Sequence, residues 1–393
     1  MVHCVRSKLP DVGTTIFTLI SRRAAEAGAV NVGQGFPDYP VDPALAEAVT
    51  TAMAEGWNQY APGDGLPVLR ELIAAKLFET QGAVVDPMAE VTVTCGGTEA
   101  VFSAVQALVG PGDEAIVFDP AYDVYEPAVR LAGGRCLRLP LAPPHFRIDW
   151  DRFRACLGPR TRLVVLNTPQ NPACVVHGAQ DLDALAEALA GFDCCVLSDE
   201  VYEHVTFDGL RHLSVLAHPA LRERSLAAFS FGKTLHATGW RVGYCAGSAP
   251  LMEEFRKVHQ FNTFTIATPL QQGIARYLAA RPDAWRGLSA FFERKRALFA
   301  TALQGSGFAP IPSQGTYFQL VDYSAVSNES DVALCDRLIG EAGVATIPLS
   351  PFYAAPPPMT LLRLCLAKRD ETLREAAARL AAFGWRASRG GAA

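Results

Sequence analysis

The 393-residue chain has no run approaching the ~20 uninterrupted apolar residues that cross a bilayer, so no membrane span is expected. Its start, Met1 to Gly13 (MVHCVRSKLPDVG), lacks the apolar core of a secretory signal. Charge of one sign is also missing: 35 Lys and Arg against 40 Asp and Glu leave a net −5. That balance argues against broad attraction to nucleic acid or anionic lipid, although a local basic site for a small anion is compatible with it. Ten cysteines are present, but they scatter from Cys4 to Cys365 without a repeating interval, and no C-x-x-C occurs. Buried thiols in a reducing cytoplasm fit this spacing better than a disulfide framework or a zinc site. The eight histidines show neither H-x-x-x-H nor H-E-x-x-H, so no metal centre is expected. There is no internal repeat and no low-complexity tract, and Pro356-Pro357-Pro358 reads as a surface loop.

What the chain does have is a globular balance, with 50% apolar and 19% charged residues, and room for two or three domain-sized units. From about Val91 to Ala246, short β-branched runs alternate with helical periodicity. Val91–Thr94, Glu114–Phe118, Leu163–Asn167, Cys194–Ser198, Leu226–Ser230 and Val242–Gly247 read as buried strands. Amphipathic stretches such as Thr98–Val109 and Asp181–Ala190 lie between several of them. That alternation predicts an α/β fold, a mostly parallel sheet covered by helices. The C-terminal part predicts a smaller α+β unit. It has a helix over about Pro282–Leu303, a strand over Thr316–Val321, a helix near Asp331–Ala342, a strand over Leu361–Leu366 and a closing helix from about Glu371.

Three familiar motifs fail on inspection. Gly232-Lys233-Thr234 has the tail of a phosphate-binding P-loop, but Ala227 stands where its first glycine belongs. Gly33-Gln34-Gly35 and Gly63-Asp64-Gly65 each open a dinucleotide fingerprint, and Asp38 and Val68 replace its last glycine. Ser230-Phe231-Gly232-Lys233 matches S-x-x-K, without the companion S-D-N and K-T-G.

What remains is a set of polar residues at the ends of predicted strands, where open α/β sheets bind ligands. They are Asn167 and Asn171 in NTPQNP, Asp199 and Tyr202 in SDEVY, and Ser230, Lys233 and Arg241 in SFGKTLHATGWR. Gly96-Gly97-Thr98-Glu99 lies upstream between a strand and a helix, and Arg363 lies downstream inside LLRLCLAK. Taken singly, each has an ordinary structural role. Lys233 is a surface lysine after a glycine turn, Asp199 a helix N-cap, Tyr202 a core aromatic and Asn167 a turn former. The joint spacing is what discriminates.

That constellation closely resembles the class I aminotransferases of pyridoxal-phosphate fold type I, from about Thr14 to the final helix. The segments TTIFTLIS, VGQGFPD, NQYAPGDG, KVHQF and GTYFQLVDYSAVS point to the methionine/kynurenine/glutamine aminotransferase branch, most like its bacterial methionine aminotransferases. The resemblance implies a large mixed-sheet cofactor domain over 46–281, a small α+β domain over 282–393, and an N-terminal segment, 1–45, joining the small domain and the active site. It also implies a cytoplasmic homodimer with active sites at the subunit interface.

By resemblance, Lys233 holds the aldehyde cofactor, pyridoxal 5′-phosphate, and later moves a proton. A lysine serves as a base only when neighbouring cations and desolvation lower its pKa. Asp199 is implied at the pyridinium nitrogen, where a carboxylate keeps the ring electron-withdrawing. Tyr202 and Asn171 would reach the ring oxygen, with Asn167 supporting the ring site. Gly97, Thr98 and the backbone of Glu99 open a helix whose free N–H groups suit a phosphate, joined by Ser230 and Arg241. Tyr122, in DPAYDVYEP, falls where the family stacks an aromatic ring on the cofactor; from composition alone it is equally a packed tyrosine. Arg363 is the implied clamp for the substrate carboxylate, assisted by Asn171 and the Gly35 backbone. Tyr60 would reach the partner subunit's phosphate; read alone, it is a loop aromatic. His236 stands where broad family patterns favour a small residue, and Arg241 where many relatives carry lysine.

The implied reaction is transfer of the α-amino group of a large neutral L-amino acid, methionine or an aromatic one, to a 2-oxo acid. An apolar pocket of Ile16, Phe17, Tyr60 and Phe264 would disfavour a second carboxylate. Kynurenine and glutamine are the branch's other donors. A β-lyase acting on cysteine S-conjugates shares the same carbanion chemistry and is the alternative enzyme. A non-catalytic ligand-sensing module is the alternative from another class, and about 13 residues before TTIF are too few for a helix-turn-helix unit.

Overall fold

A computed structural model describes residues 6–390, with side chains to residue 384. Residues 1–5, including Cys4, and 391–393 lie outside the described residues, and with them the outer ends of the segments expected over 1–45 and 282–393.

Seven strands form the main sheet, in the spatial order Val91–Thr94, Gly243–Gly247, Ser225–Ser230, Cys195–Asp199, Thr161–Asn167, Glu114–Asp119 and Arg135–Pro140. The last five are mutually parallel; Gly243–Gly247 runs antiparallel to both of its neighbours. The expected strands are all present within a residue or two. Every residue from Val196 to Asp199 and from Ser225 to Ser230 is buried. Such strands read as continuous apolar runs because helices cover both faces. Arg135–Pro140 was not legible that way. It is one of the sheet's two edge strands, and its half-exposed pattern with Arg135 and Arg138 hides it among polar sequence.

Helix Gly96–Leu108 begins two residues before the expected start, with Gly96 entering it at a left-handed φ of 73° that favours glycine. Helix Ala249–Asn262 packs against it, and helix Thr268–Ala280 packs against Pro43–Ala54. The second crossing is close because Gly273 has no side chain. A Cβ there would sit 2.7 Å from the Val49 Cα.

The C-terminal unit holds an antiparallel sheet ordered Ile347–Pro348, Leu361–Cys365, Phe318–Asp322 and Ala309–Pro310. Three expected boundaries move. The long helix starts at Leu288, since Pro282–Gly287 forms turns. The strand expected from Thr316 begins at Phe318, because Thr316 sits at φ 70°. Asp331–Arg337 is α-helical but continues as a π-helical turn over Leu338–Ala342. The N-terminal segment belongs to this unit by hydrogen bonding, with Val30–Asn31 pairing in parallel with Val344–Ala345.

Among the described residues nine cysteines are free, no group of three or more potential metal ligands occurs, and no helix is long and apolar enough to cross a membrane.

Candidate active site

Strand register brings the first two residues together. Asn167 and Asp199 close adjacent parallel strands and lie directly opposite each other, with Ala228 on the far side of Asp199. Asn167 Nδ2 donates to the Asp199 carbonyl at 2.8 Å, while Asn167 Oδ1 accepts from the Asn171 N–H at 2.8 Å. The turn after the sheet is thereby pinned, and Asn171 is delivered toward the C-terminal unit.

Lys233 lies on a single helical turn, Phe231–Thr234, directly after strand Ser225–Ser230. Its ammonium is enclosed. Burial pushes its pKa down to about 8, with Arg241 and Arg363 acting in the same direction and Asp199 opposing them. Asp199 responds to burial in the opposite sense. Its carboxyl rises to about 6, restrained by a 2.6 Å hydrogen bond from the Tyr125 hydroxyl, by the Val201 N–H and by the Lys233 charge. A low-pKa amine and a buried carboxylate lacking a close cation therefore share one cavity.

That cavity has a volume of about 330 Å³. All of the residues expected to hold the cofactor or the substrate carboxylate line it except Glu99 and Tyr60. One end is anionophilic: Gly97 and Thr98 open helix Gly96–Leu108, Ser230 ends its strand, and Arg241 Nη2 lies 3.4 Å from Thr98 Oγ1. Glu99 turns its carboxylate away from this end. It accepts from the Cys95 N–H (3.1 Å), the Ser103 hydroxyl (2.5 Å) and His259 Nδ1 (3.1 Å). Tyr122 and Val201 also line the cavity, the Tyr122 hydroxyl 3.5 Å from Thr98 Oγ1. Gly97 must be glycine here, because a Cβ would lie 2.7 Å from Val201 Cγ1.

At the other end Arg363 projects from strand Leu361–Cys365 and has no exposure to solvent. Its guanidinium stacks 3.9 Å from the Phe318 ring centroid, donates from Nη1 to Asn171 Oδ1 at 2.7 Å, and from Nη2 to the Gly33 carbonyl at 3.1 Å. Burial lowers its pKa, yet a guanidinium stays charged in proteins. Among the described residues no carboxylate forms an ion pair with it, although Asp123 is near enough to feel its charge, and Nε has no partner. A buried cation with an orphan donor at the mouth of a cavity calls for an incoming anion.

Of the four residues expected to make the apolar pocket, Phe17 alone lines the cavity. Ile16 is half-buried in the core. Tyr60 and Phe264 lie on the outside, 5.3 Å apart edge to face, with Tyr60 83% exposed. Three contributors were not singled out from the sequence. Tyr125 holds Asp199, and its signal was its place three residues after Tyr122 in DPAYDVYEP, at the first position of a helix. Phe318 underlies Arg363, and Tyr317 accepts a hydrogen bond from Lys233 Nζ at 2.8 Å; both stand in GTYF.

An anion site at a helix N-terminus, a buried carboxylate, a low-pKa lysine between them and a free guanidinium opposite fit the phosphate, ring nitrogen and aldehyde of pyridoxal phosphate plus a substrate carboxylate. Residues 27–380 match the family described as aminotransferase class I and II, and the chain belongs to it. It is a pyridoxal-phosphate-dependent aminotransferase. The sequence is 51% identical to the methionine aminotransferase of Escherichia coli K12 over 95% of this chain and 97% of the relative. A solved E. coli structure, reported with a methionine aminotransferase function, superimposes with a TM-score of 0.94 at 51% identity, covering 96% and 99% of the two chains. The chain is also 34% identical to human kynurenine–oxoglutarate transaminase 1, over 89% and 91% of the two chains. N-succinyldiaminopimelate aminotransferase from Mycobacterium tuberculosis has a TM-score of 0.92 at 38% identity, covering 97% and 100%.

Proposed function

We propose that this enzyme transfers the α-amino group of a large neutral L-amino acid, methionine or an aromatic one, to a 2-oxo acid. The observation that carries the reading is the distribution of charge in the cavity. Its lining cations are Lys233, Arg241 and Arg363, and the groups around Arg363 are the neutral Asn171 amide and the rings of Phe17, Phe318 and Phe352. One guanidinium serves one carboxylate, and an apolar side chain suits the rings next to it. The similarity to methionine and kynurenine aminotransferases supports the same class of donor.

When bound, pyridoxal phosphate supplies an aldehyde that takes up the amino group and a ring that accepts the electron pair left at Cα. The residues divide the remaining work. Gly97, Thr98, the Glu99 backbone, Ser230 and Arg241 hold the phosphate, with Tyr60 reaching in from the partner subunit. Asp199 holds the proton on the ring nitrogen, its own position fixed by Tyr125 and Asn167. Tyr202 and Asn171 would hold the cofactor's ring oxygen, and Tyr122 would pack against its ring. Arg363, with Asn171 and the Gly35 backbone, fixes the substrate carboxylate so that the Cα–H bond stands perpendicular to the ring. Lys233 Nζ would move a proton from the substrate Cα to the carbon that the cofactor's aldehyde supplies.

The exposed aromatics Tyr60, Phe261 (86% exposed) and Phe264 support a homodimer whose partner covers them. The reading places this dimer in the cytoplasm. It also keeps the division into 1–45, 46–281 and 282–393, with the N-terminal segment closing the site together with the small unit.

The test is a single-turnover screen. Purified holoenzyme is mixed with methionine, phenylalanine, kynurenine, glutamine or aspartate, and conversion of the cofactor to its amine form is followed by absorbance. Methionine or an aromatic donor should react fastest. Aspartate turning over faster than methionine would overturn the donor assignment, and undiminished amine exchange by Lys233→Ala would overturn the catalytic one.

A further inference from the structure

Tyr317 is fully buried at the mouth of strand Phe318–Asp322, its ring 5.0 Å from that of Tyr202 and 5.7 Å from that of Phe292. Its hydroxyl makes two hydrogen bonds with opposite polarity. It donates to the Gly35 carbonyl at 2.7 Å and accepts from Lys233 Nζ at 2.8 Å. A phenol has one proton. With that proton committed to Gly35, only oxygen lone pairs face the lysine, so Lys233 must be the donor in every protonation state.

The two bonds reach into different parts of the molecule. Lys233 follows the seven-stranded sheet, whereas Gly35 sits in a segment stitched to the C-terminal unit on both sides. The Gly33 carbonyl accepts from Arg363, the Phe36 carbonyl accepts from Lys368 Nζ at 2.8 Å, and Asp38 accepts from the Arg369 N–H and the Thr372 hydroxyl at 2.6 Å each. Gly35 itself has no room for change, since a Cβ would lie 2.6 Å from Phe318 Cζ. The Tyr317 hydroxyl is thus the point where the reactive amine and the segment beside the substrate carboxylate are held to one another.

We propose that Tyr317 is a positioning residue for Lys233. Its hydroxyl engages one N–H of the amine, leaving the lone pair turned into the cavity, and couples that orientation to the docked position of the Gly33–Asp38 segment. The inference rests on the reading of Lys233 as the catalytic amine. A neutral amine has two N–H bonds and one lone pair, so anchoring one N–H restricts where the lone pair points. Without the anchor, a four-carbon stem lets the base swing. Misplacement of a base by about 1 Å reduces proton transfer by up to about 100-fold.

The test compares wild type, Tyr317→Phe and Lys233→Ala. Tyr317→Phe keeps the ring and removes the oxygen. Its holoenzyme should retain the visible absorption of bound cofactor and bind methionine within about threefold of wild type. The first half-reaction should slow by about 10- to 100-fold, with a larger isotope effect from Cα-deuterated methionine. A second readout needs no turnover: labelling of the apoprotein by an amine-reactive sulfonate across pH, with Lys233→Ala as the blank. The wild-type midpoint should lie near 8, and the variant's about half to one pH unit lower, because the lost acceptor favoured the protonated amine. An undiminished half-reaction rate, or an unmoved labelling midpoint, overturns the proposal. Active Lys233→Ala would instead overturn the underlying assignment. Should Tyr317→Phe fail to fold, 3-fluorotyrosine at position 317 keeps the shape and weakens the acceptor, with the same directions expected and the same results overturning the idea.

Discussion

Asp199→Asn separates what folding needs from what catalysis needs. The carboxyl is buried, and among the described residues no cation forms an ion pair with it; burial raises its pKa in the apoprotein to about 6, compared with 3.8 for an unburied group. At about 1.36 kcal/mol per pH unit, that difference is about 3 kcal/mol. The sign follows from the raised folded-state value. Below the unfolded pKa both states are protonated and no penalty exists; it grows as pH rises and is complete above the folded pKa. Apoprotein should therefore lose stability between about pH 4 and pH 6 through this one group. Asparagine carries no charge to desolvate, but its amide faces Tyr125 and Val201 with one donor too many, which returns about 1 kcal/mol. Asp199→Asn apoprotein should accordingly be more stable than wild type by about 2 kcal/mol at pH 8, with the gain falling to well under about 1 kcal/mol at pH 5, where the penalty is only about half developed. Urea titrations of both apoproteins at the two pH values measure this directly. The holoenzyme should behave oppositely: added cofactor should raise the wild-type midpoint far more than the variant's, and amine exchange should fall by several orders of magnitude. A variant apoprotein less stable than wild type at pH 8, or an offset independent of pH, would refute the reasoning.

Other expectations follow from the same geometry. Arg363→Lys keeps a cation but loses the planar fork held by Asn171 and Gly33, so the KM for methionine should rise by about 10- to 100-fold with the cofactor spectrum intact. Steady-state kinetics on holoenzyme decide this. Lys76→Met strands the buried Glu203 carboxylate, which Lys76 pairs with while also donating to the Tyr244 hydroxyl at 2.7 Å. Unfolding should become easier by about 3–5 kcal/mol, read by denaturant titration near neutral pH. If Tyr60 serves the partner's site, mixing Lys233→Ala with Tyr60→Ala subunits under exchange conditions should give more activity than the two variants measured apart. A mixed dimer then carries one complete site, and activity equal to the sum would count against a shared site.

Much of the site was legible because its residues sit where chemistry and chain geometry agree. Asp199 and Asn167 end apolar runs that could only be covered strands, and Lys233 follows another after a glycine. A polar residue closing a buried strand is conspicuous in a linear string. Tyr125, Phe318 and Tyr317 were not singled out, because a tyrosine or phenylalanine in an apolar segment reads equally as core. Their roles depend on what lies opposite: Asp199 from a strand 74 residues on, Arg363 from a neighbouring antiparallel strand, Lys233 from the other sheet. The edge strand Arg135–Pro140 escaped for the complementary reason, since one open side lets charge replace the apolar run.

Sequence alone determined the α/β class, the order of the sheet's buried strands along the chain and the residue types that must meet, because burial periodicity and local spacing are properties of the string. Tertiary structure alone decided which strand runs antiparallel, that Arg363 is left without an ion-pair partner among the described residues and that one phenol joins Lys233 to Gly35. Those are relations between segments as many as 330 residues apart, and only the packing that sets their distances can assign them.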